Sequence, residues 1–473
     1  MADRSVHSQS RIFLLSTFLV SLLLVQLPWR PSLASAADAA GGTDDGSEQW
    51  GYVEVRPKAH LFWWLYKSPN RVDDPSKPWP TILWLQGGPG GSGVGFGNFG
   101  ELGPLDYNLE PRNFTWLKKA DLLFVDSPVA TGFSYVEDNS LVVRTDVEAA
   151  TDLTTLLKAL YNGNQALQKS PLYIFAESYG GKFAVTLGIS AVRAIEAGEL
   201  KLRLGGVALG DSWISPEDFT SSWAPLLKQV SRISNIGLNK SNSIALQIKH
   251  QLAEGKYEDA TDSFGELENL ISDYSNNVDF YNFLYDDGDS PVAANKAAGR
   301  RKNAAEKYSS KFLRMGQRSS SLAQKSTSDF MNGPIRKKLK IIPENVTWGG
   351  QGGLVFPAMA GDFMRPRIQE VDDLLAKNVS VTIYNGQVDL ICSTNGAEAW
   401  LNKLKWDELE EFLSMDRTPL YCKGENVTTK AFTSSHRNLA FYWILLAGHF
   451  VPVEQPCISL QMVGTITQSP SRA

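Results

Sequence analysis

Cysteine is scarce in this chain of 473 residues, which holds three, Cys392, Cys422 and Cys457, all in its last quarter. At most one disulfide can form, and one thiol must stay free. The spacing leaves the pairing open, and we favour Cys392 with Cys422. A chain of this length can bury a large core, so its stability does not depend on disulfides. No set of cysteines and histidines has metal-ligand spacing, so we predict neither a metal nor a cofactor.

The chain also lacks a strong excess of either charge and long apolar runs beyond its first residues. Its net charge of −5 gives no reason to expect nucleic acid or an anionic membrane as a partner. Residues 1–36 carry arginines, an apolar stretch and a small-x-small ending, which predicts a secretory signal peptide. A membrane anchor is the alternative, but the apolar run is short and interrupted by polar residues.

The signal peptide places the mature protein in the secretory pathway, free of the membrane after cleavage. Nothing in the sequence separates secretion from delivery to a lysosome or vacuole. Five N-x-S/T sequons are candidate surface glycosylation sites in such a compartment. They lie at Asn113, Asn239, Asn345, Asn378 and Asn426.

After the signal peptide, short apolar runs alternate with helical patterns. The predicted strands are a hairpin at 50–67 and single strands at 81–85, 121–125, 172–175 and 204–209; the predicted helices are 146–161 and 182–197. Wholly apolar strands that alternate with helices are typical of a buried, mostly parallel sheet. We therefore predict an α/β fold with helices on both faces of a central sheet.

The pattern changes after Asp211. Residues 213–335 are polar and helical, which predicts a helical cap inserted between a first core part, 45–212, and a second, 336–470. Within it, the basic stretch 296–325 is either a solvated helix face or a disordered, protease-sensitive loop, and its composition favours the loop.

Ser178 lies between a predicted strand and a predicted helix, with small residues two positions before and after it. This pattern resembles the G-x-S-x-G nucleophile elbow, with Ala176 in place of the first glycine. Such a turn pushes the serine hydroxyl out into a cleft. The motif gains weight only when an acid and a histidine follow in the right order.

A nucleophilic serine needs a histidine as base and an acid that orients the histidine. His60 precedes the elbow, His250 lies in the predicted cap, and His436 lies in a polar stretch. His449 instead follows a buried apolar run, where catalytic side chains of α/β sheets are held. Asp389 follows a later strand and a glycine turn. The resulting order, Ser–Asp–His, is that of α/β-hydrolases.

An oxyanion hole would complete the site. One donor is the backbone N–H of Tyr179, directly after the nucleophile, and the other should come from the glycine-rich turn 86–93. A phosphate-binding loop is the competing interpretation of this turn. It fails because no Gly-Lys-Ser/Thr ending is present and Pro89 lacks an amide donor.

Several segments together resemble the serine carboxypeptidase family over nearly the whole mature chain. They are 84–91 (WLQGGPGG), 101–104 (ELGP), 126–135 (DSPVATGFSY), 177–181 (ESYGG) and 448–452 (GHFVP). Two more, 209–216 and 331–340, resemble its retinoid-inducible branch. The resemblance implies an α/β-hydrolase fold and removal of single residues from the C-termini of peptides or proteins, best at acid pH.

Site residues follow from the same resemblance. It assigns Ser178, Asp389 and His449 to a catalytic triad and the N–H groups of Gly88 and Tyr179 to the oxyanion hole. Gln86, Gly87, Glu101 and Glu177 would hold the terminal carboxylate of the substrate. Two adjacent carboxyls share a proton, and the protonated pair can donate to that carboxylate. We therefore expect activity to fall as the pH rises through neutrality.

The glycine turn departs from the family pattern at Gln86, Gly91 and Gly93, where Asn, Cys and Ser are usual. Because most family cysteines are missing, the family's disulfide map cannot be transferred. Two other functions stay open: an acyltransferase that uses glucose esters with the same triad, and a secreted binding protein with a vestigial site. The oligomeric state also stays open, with a homodimer among the alternatives.

Overall fold

The structure is a computed structural model that describes residues 40–72, 74, 76–287, 327–422, 424 and 428–470. Three of the predicted features, the signal peptide, the basic stretch 296–325 and the sequon at Asn426, lie outside the described residues.

A single sheet of twelve strands forms the centre of the described chain. The strands are β1 Ala40–Gly42, β2 Glu48–Arg56, β3 Ala59–Tyr66, β4 Thr81–Leu85, β5 Asp121–Val125, β6 Tyr135–Val136, β7 Leu172–Glu177, β8 Leu204–Gly210, β9 Val381–Gly386, β10 Thr418–Leu420, β11 Ala431–His436 and β12 Leu439–Ile444. Their order is β1-β2-β3-β5-β4-β7-β8-β9-β12-β11-β10, and β6 pairs with β3.

The middle of the sheet is parallel and its edges are antiparallel. Each neighbouring pair from β5 through β4, β7, β8 and β9 to β12 runs parallel. Every residue of β4, β5 and β7 is buried, which explains why their sequences are apolar throughout rather than alternating. The predicted parallel sheet is confirmed, and so is the hairpin, which β2 and β3 form.

Helices fill the connections between the strands. They are α1 Asp146–Tyr161, α2 Gln165–Lys169, α3 Gly180–Glu196, α4 Pro216–Gln229, α5 Asn235–Ala253, α6 Tyr257–Ser275, α7 Thr327–Phe330, α8 Arg336–Leu339, α9 Val355–Phe363, α10 Ile368–Ala376, α11 Thr394–Leu401, α12 Leu409–Leu413, α13 Val451–Glu454 and α14 Pro456–Ile466. Gly93–Leu102 forms a π-helix after the glycine-rich turn. Among the described residues, none of the helices combines the length and apolarity that crossing a bilayer requires.

The connection from β8 to β9 contains α4 to α10. Its helices pack through buried aromatic rings: Phe264 of α6 makes edge contacts with Trp213, Trp223 and Phe363, at centroid distances of 5.5, 5.5 and 5.2 Å. These rings tie the inserted helices to one another and to the loop that leaves β8. The division into core and cap at residues 213 and 335 stays a prediction.

The disulfide joins Cys422 to Cys457, whose Cα atoms lie 6.0 Å apart, and Cys392 is a buried free thiol. The favoured pairing of Cys392 with Cys422 is therefore wrong. Cys392 lies in the turn between β9 and α11, whereas Cys422 follows the edge strand β10. Sequence spacing carries no information on which of these segments meet in space.

Four of the five sequon asparagines lie in the described chain, and all four are exposed. They are Asn113, Asn239, Asn345 and Asn378. Exposure meets the steric requirement for a glycan, and glycosylation itself stays a prediction.

The carboxyl ends of β4, β7, β8, β9 and β12 all face the same edge of the sheet, because these strands run parallel. The loops that leave them therefore converge. In α/β sheets this edge is where ligands and reacting groups are held.

Candidate active site

Ser178 occupies a tight turn between β7 and α3. Its φ of +61° lies in the left-handed region, which is uncommon for a residue other than glycine. Two backbone hydrogen bonds hold the turn: the Ser178 N–H donates to the Gly210 carbonyl at 3.0 Å, and the Trp213 N–H donates to the Ser178 carbonyl at 2.9 Å. At Gly180, a Cβ atom would lie 2.3 Å from the Leu85 carbonyl oxygen. The turn therefore requires glycine there, as the elbow motif predicts.

Asp389 and His449 meet behind this turn. The His449 Nδ1 lies 2.8 Å from Oδ2 of Asp389, and neither side chain is exposed to solvent. The His449 N–H donates to the Tyr281 carbonyl at 2.8 Å, which fixes the histidine loop. Within the described chain, Nε2 of His449 has no hydrogen-bond partner. The second ring nitrogen is therefore available to a hydroxyl, while burial lowers the histidine pKa.

The glycine-rich turn after β4 lies against Ser178. A Cβ atom on Gly87 would sit 2.5 Å from Cβ and 2.9 Å from Oγ of Ser178, so only glycine fits. In the described part of the chain, the N–H groups of Gly88 and Tyr179 donate to no other residue. Unused amide donors beside a nucleophilic serine are what an oxyanion hole needs.

Gln86, Glu101 and Glu177 form a buried corner beside the serine. The Gln86 Nε2 donates to Oε1 of Glu101 at 3.0 Å and to Oε1 of Glu177 at 2.9 Å. The Trp84 Nε1 donates to the Gln86 Oε1 at 2.7 Å and so fixes which end of the amide faces the acids. The three side chains are each 1% exposed.

The two glutamates form a proton-sharing pair, which we call the glutamate pair. Burial raises the pKa of Glu177 well above its usual range, and the charge of Glu101 raises it further. Burial also raises the pKa of Glu101, and its hydrogen bond with Glu177 acts in the opposite direction. Oε2 of Glu101 has no donor with good geometry among the described residues, and the carboxyl of Glu177 lies within hydrogen-bonding reach of Glu101. Two buried carboxyls in contact favour one shared proton over two negative charges.

Asp211 is a site residue for which the sequence predicted no role. It follows β8 directly, is fully buried, and its Oδ1 accepts the Gly386 N–H at 2.7 Å. Burial raises its pKa well above the usual range, and the neighbouring Asp389 raises it further. The sequence did contain a signal for Asp211, because it is an acid that follows an apolar strand. The same signal identified Asp389.

Below the elbow lies a second group of buried charges, which we call the Asp146 cluster: Asp146, Lys182, Asp362 and Arg367. Lys182 Nζ lies 3.4 Å from Asp146, and Arg367 lies 2.9 Å from Asp146 and 3.0 Å from Asp362. The Tyr179 hydroxyl donates to Asp146 at 2.7 Å. The cluster thereby anchors the side chain of Tyr179, the residue directly after Ser178.

Charge balance distinguishes the two acids of this cluster. Burial alone would raise the pKa of Asp362, but Lys182 and Arg367 outweigh it, and the pKa is lowered. For Asp146 burial is the larger effect and the pKa is raised, with the same two cations opposing.

The structure brings every predicted site residue to one edge of the sheet. Those residues are Ser178, Asp389, His449, Gly88, Tyr179, Gln86, Gly87, Glu101 and Glu177. The geometry is compatible with their individual roles, which stay predictions.

Comparison with known proteins agrees with this geometry. The model of the serine carboxypeptidase family matches residues 40–469. Serine carboxypeptidase-like 51 of Arabidopsis thaliana is 60% identical over 431 residues, which cover 90% of this chain and 93% of that protein. The retinoid-inducible serine carboxypeptidase of Homo sapiens is 44% identical, with 94% and 97% covered.

A solved structure supports the fold. The crystal structure of Kex1(delta)p, a prohormone-processing carboxypeptidase from Saccharomyces cerevisiae, superimposes with a TM-score of 0.72. The match covers 89% of this chain and 91% of that one, at 19% sequence identity. It confirms the predicted α/β-hydrolase fold.

Proposed function

Because the chain belongs to the serine carboxypeptidase family, we propose that it releases single C-terminal residues from peptides through an acyl-enzyme on Ser178. The observation that carries this proposal is the buried glutamate pair held by Gln86 beside the serine. A peptide C-terminus is the substrate group that ends in a carboxylate next to the scissile bond, and a protonated carboxyl can bind it.

We assign a residue to each step of acyl transfer. His449 Nε2 takes the proton of the Ser178 hydroxyl, and Oγ attacks the scissile carbonyl carbon. The N–H groups of Gly88 and Tyr179 donate to the oxyanion that forms. His449 then returns the proton to the leaving amino group, and water cleaves the acyl-enzyme by the reverse sequence. Asp389 holds the imidazole through Nδ1 and stabilises its charged form.

The carboxylate-binding corner sets both specificity and pH range. Gln86, Gly87, Glu101 and Glu177 surround the place of the terminal carboxylate. With one proton on the glutamate pair, Glu177 or Glu101 donates to that carboxylate. After the second ionisation the pair repels it, so substrate binding weakens as the pH rises.

An acidic compartment suits this chemistry. The predicted signal peptide and exposed sequons support passage through the secretory pathway, with secretion or delivery to a lysosome or vacuole as the endpoint. The substrates we propose are the C-termini of peptides and proteins.

The acyltransferase alternative is not favoured. A glucose ester carries no terminal carboxylate, and the human relative at 44% identity is named as a carboxypeptidase. A vestigial binding protein would have no reason to keep Ser178 in a strained conformation, together with unused donors at Gly88 and Tyr179.

Two experiments test the proposal. A fluorophosphonate probe should label the wild type and fail on Ser178→Ala, while Ser140→Ala, at an exposed serine, labels normally. Absence of labelling in folded wild type would contradict a serine mechanism. A blocked dipeptide should lose its C-terminal residue at pH 5, and its C-terminal amide should react about 10- to 100-fold more slowly, since charge-assisted hydrogen bonds contribute roughly 1.5–3 kcal/mol. Equal rates for acid and amide would exclude the carboxylate-binding corner.

A further inference from the structure

Asp211 is a buried carboxyl beside the triad that the mechanism above does not use. Its backbone is held by a hydrogen bond from its N–H to the Tyr384 carbonyl at 2.9 Å, with φ at +41°. One carboxyl oxygen, Oδ1, accepts the Gly386 N–H at 2.7 Å. The other, Oδ2, has no donor among the described residues. A buried acceptor without a donor is costly, so this oxygen needs a partner.

Asp389 has the complementary deficiency. Its Oδ2 is bonded to His449, whereas its Oδ1 has no partner with good hydrogen-bond geometry in the described chain. Burial raises the pKa of Asp389, while the side chain of Asp211 and the nearby backbone N–H groups of Cys392 and Ile391 act to lower it. The carboxyls of Asp211 and Asp389 lie within hydrogen-bonding reach of each other. Both residues are fully buried, and among the described ion pairs no lysine or arginine contacts either acid. A single proton between the two acids satisfies both oxygens.

We propose that Asp211 is a positioning residue for the triad: its protonated carboxyl donates to Oδ1 of Asp389 and makes the Asp389–His449 pair a weaker base. This inference rests on the proposed roles of Ser178, Asp389 and His449. We call Asp211 and Asp389 the aspartate pair.

The physical effect is on the acid side of the pH range. A carboxylate that already accepts a hydrogen bond is a weaker base toward a second proton, because the bond stabilises its charged form. The Asp389–His449 pair then takes up its inactivating proton only at lower pH. His449 stays neutral, and able to act as a base, under the acid conditions in which the glutamate pair binds substrate.

The surroundings favour retention of the proton by the aspartate pair. The other titratable groups that face the pair or His449 are Glu177, Glu101, Tyr384, Cys392, Glu454, Asp279 and Tyr281. All of them are neutral or negative, and none brings a positive charge. Only His449 can supply one, and it does so transiently in the mechanism.

A purely structural role is the competing explanation, because Asp211 also caps the turn through Gly386. Asp211→Asn separates the two. Its amide oxygen can accept the Gly386 N–H and its NH₂ can donate to Asp389, without a titrating proton. Asp211→Ala removes both bonds, and Asp211→Leu does so while filling the space that water would take.

The rate of fluorophosphonate labelling of Ser178 between pH 4 and 8 is the decisive measurement. It depends on His449 as a base and not on the glutamate pair, because the probe carries no carboxylate. We call the fall in labelling rate toward low pH the acid limb of the profile. Asp211→Asn should keep the acid limb of the wild type. In Asp211→Ala and Asp211→Leu the limb should move upward by about one pH unit, which makes labelling about tenfold slower at pH 5 and restores most of it by pH 7.5.

A matched control is Asp372→Ala. Asp372 is a buried acid that accepts a backbone N–H from Lys405 at 2.8 Å, but it lies in α10, away from the triad. Its variant should keep the wild-type acid limb.

Two results would overturn the inference. One is an unshifted acid limb in folded Asp211→Ala or Asp211→Leu, or a loss of labelling by the same factor at every pH. The other is a shifted limb in Asp211→Asn, which decides the matter even if the other two variants do not fold. Failure of the proposed function looks different, since labelling would then persist in Ser178→Ala or peptide cleavage would be absent in the wild type.

Discussion

Two groups of buried acids lie on either side of Tyr179, and they are neutralised in different ways. In the Asp146 cluster, the acids contact Lys182 and Arg367 at 2.9 to 3.4 Å. Around Ser178, the acids of the glutamate pair and the aspartate pair have no lysine or arginine partner among the described ion pairs. Burial raises the pKa values of these acids, which favours shared protons instead.

This difference in neutralisation indicates where the protein is sensitive to pH. An arginine stays charged over the whole physiological range, whereas a shared proton leaves as the pH rises. Burial lowers the pKa of Lys182, and the charges of Asp146 and Asp362 oppose that shift. We therefore expect the Asp146 cluster, which holds Tyr179, to respond less to pH than the proposed substrate-binding acids do. Three predictions test this contrast.

The largest expected effect comes from removing a cation. Lys182→Met leaves Asp146 buried with one cation fewer, and breaking such a buried pair typically costs about 3–5 kcal/mol. Urea unfolding at pH 6 should show this loss in the free energy of unfolding. Lys158→Met, which breaks the exposed pair with Glu199, should cost about 0–1 kcal/mol. Equal losses in the two variants would show that the Asp146 cluster is not a neutralised buried unit.

The second prediction concerns stability and pH. The acids of both proton-sharing pairs have raised pKa values in the folded state, so above the unfolded pKa the folded chain binds more protons than the unfolded chain. Stability should then fall as the pH rises from the unfolded pKa to the folded pKa, by about 1.4 kcal/mol per pH unit for each proton retained.

The double variant Glu177→Gln/Asp211→Asn should show a flatter decline in the free energy of unfolding between pH 5 and 8. His449, whose pKa is lowered, acts with the opposite sign, but its contribution is common to both proteins to first order. Parallel curves for variant and wild type would mean that the two pairs carry no stored protons.

The smallest expected effect is on substrate binding. For a blocked dipeptide, the wild-type KM should rise about tenfold between pH 5 and 8, because ionisation of the glutamate pair places a second negative charge beside the substrate carboxylate. Glu177→Gln cannot make that second ionisation, and its KM should stay nearly constant. Glu199→Gln, at an exposed glutamate, should follow the wild type. A wild-type KM that is flat over this range would refute the proton-sharing account.

The sequence predicted the parts of the site that local patterns encode. An apolar strand followed by a small-residue turn indicated Ser178, and an acid or histidine after a later core element indicated Asp389 and His449. The proximity of Glu101 to Glu177 came from family resemblance, since no periodicity connects residues 76 positions apart.

The rest depends on which strand ends become neighbours. Asp211 meets Asp389 only because β8 pairs with β9 across a long helical insertion. The Asp146 cluster joins residues more than 200 positions apart. The disulfide prediction was wrong for the same reason, because the edge of the sheet brings Cys457 rather than Cys392 to Cys422.

The side-chain amide of Gln86 uses all of its hydrogen-bonding groups within the protein. A primary amide carries two hydrogens on its nitrogen, and here one is donated to Glu101 and the other to Glu177. The oxygen of the same amide is occupied by Trp84. Gln86 therefore has no free N–H group to donate to a substrate unless it breaks its hydrogen bond with one of the glutamates. Under the proposed function, the proton that binds the substrate carboxylate is therefore one that the glutamate pair takes up from solvent. The pH of the medium then becomes part of substrate recognition.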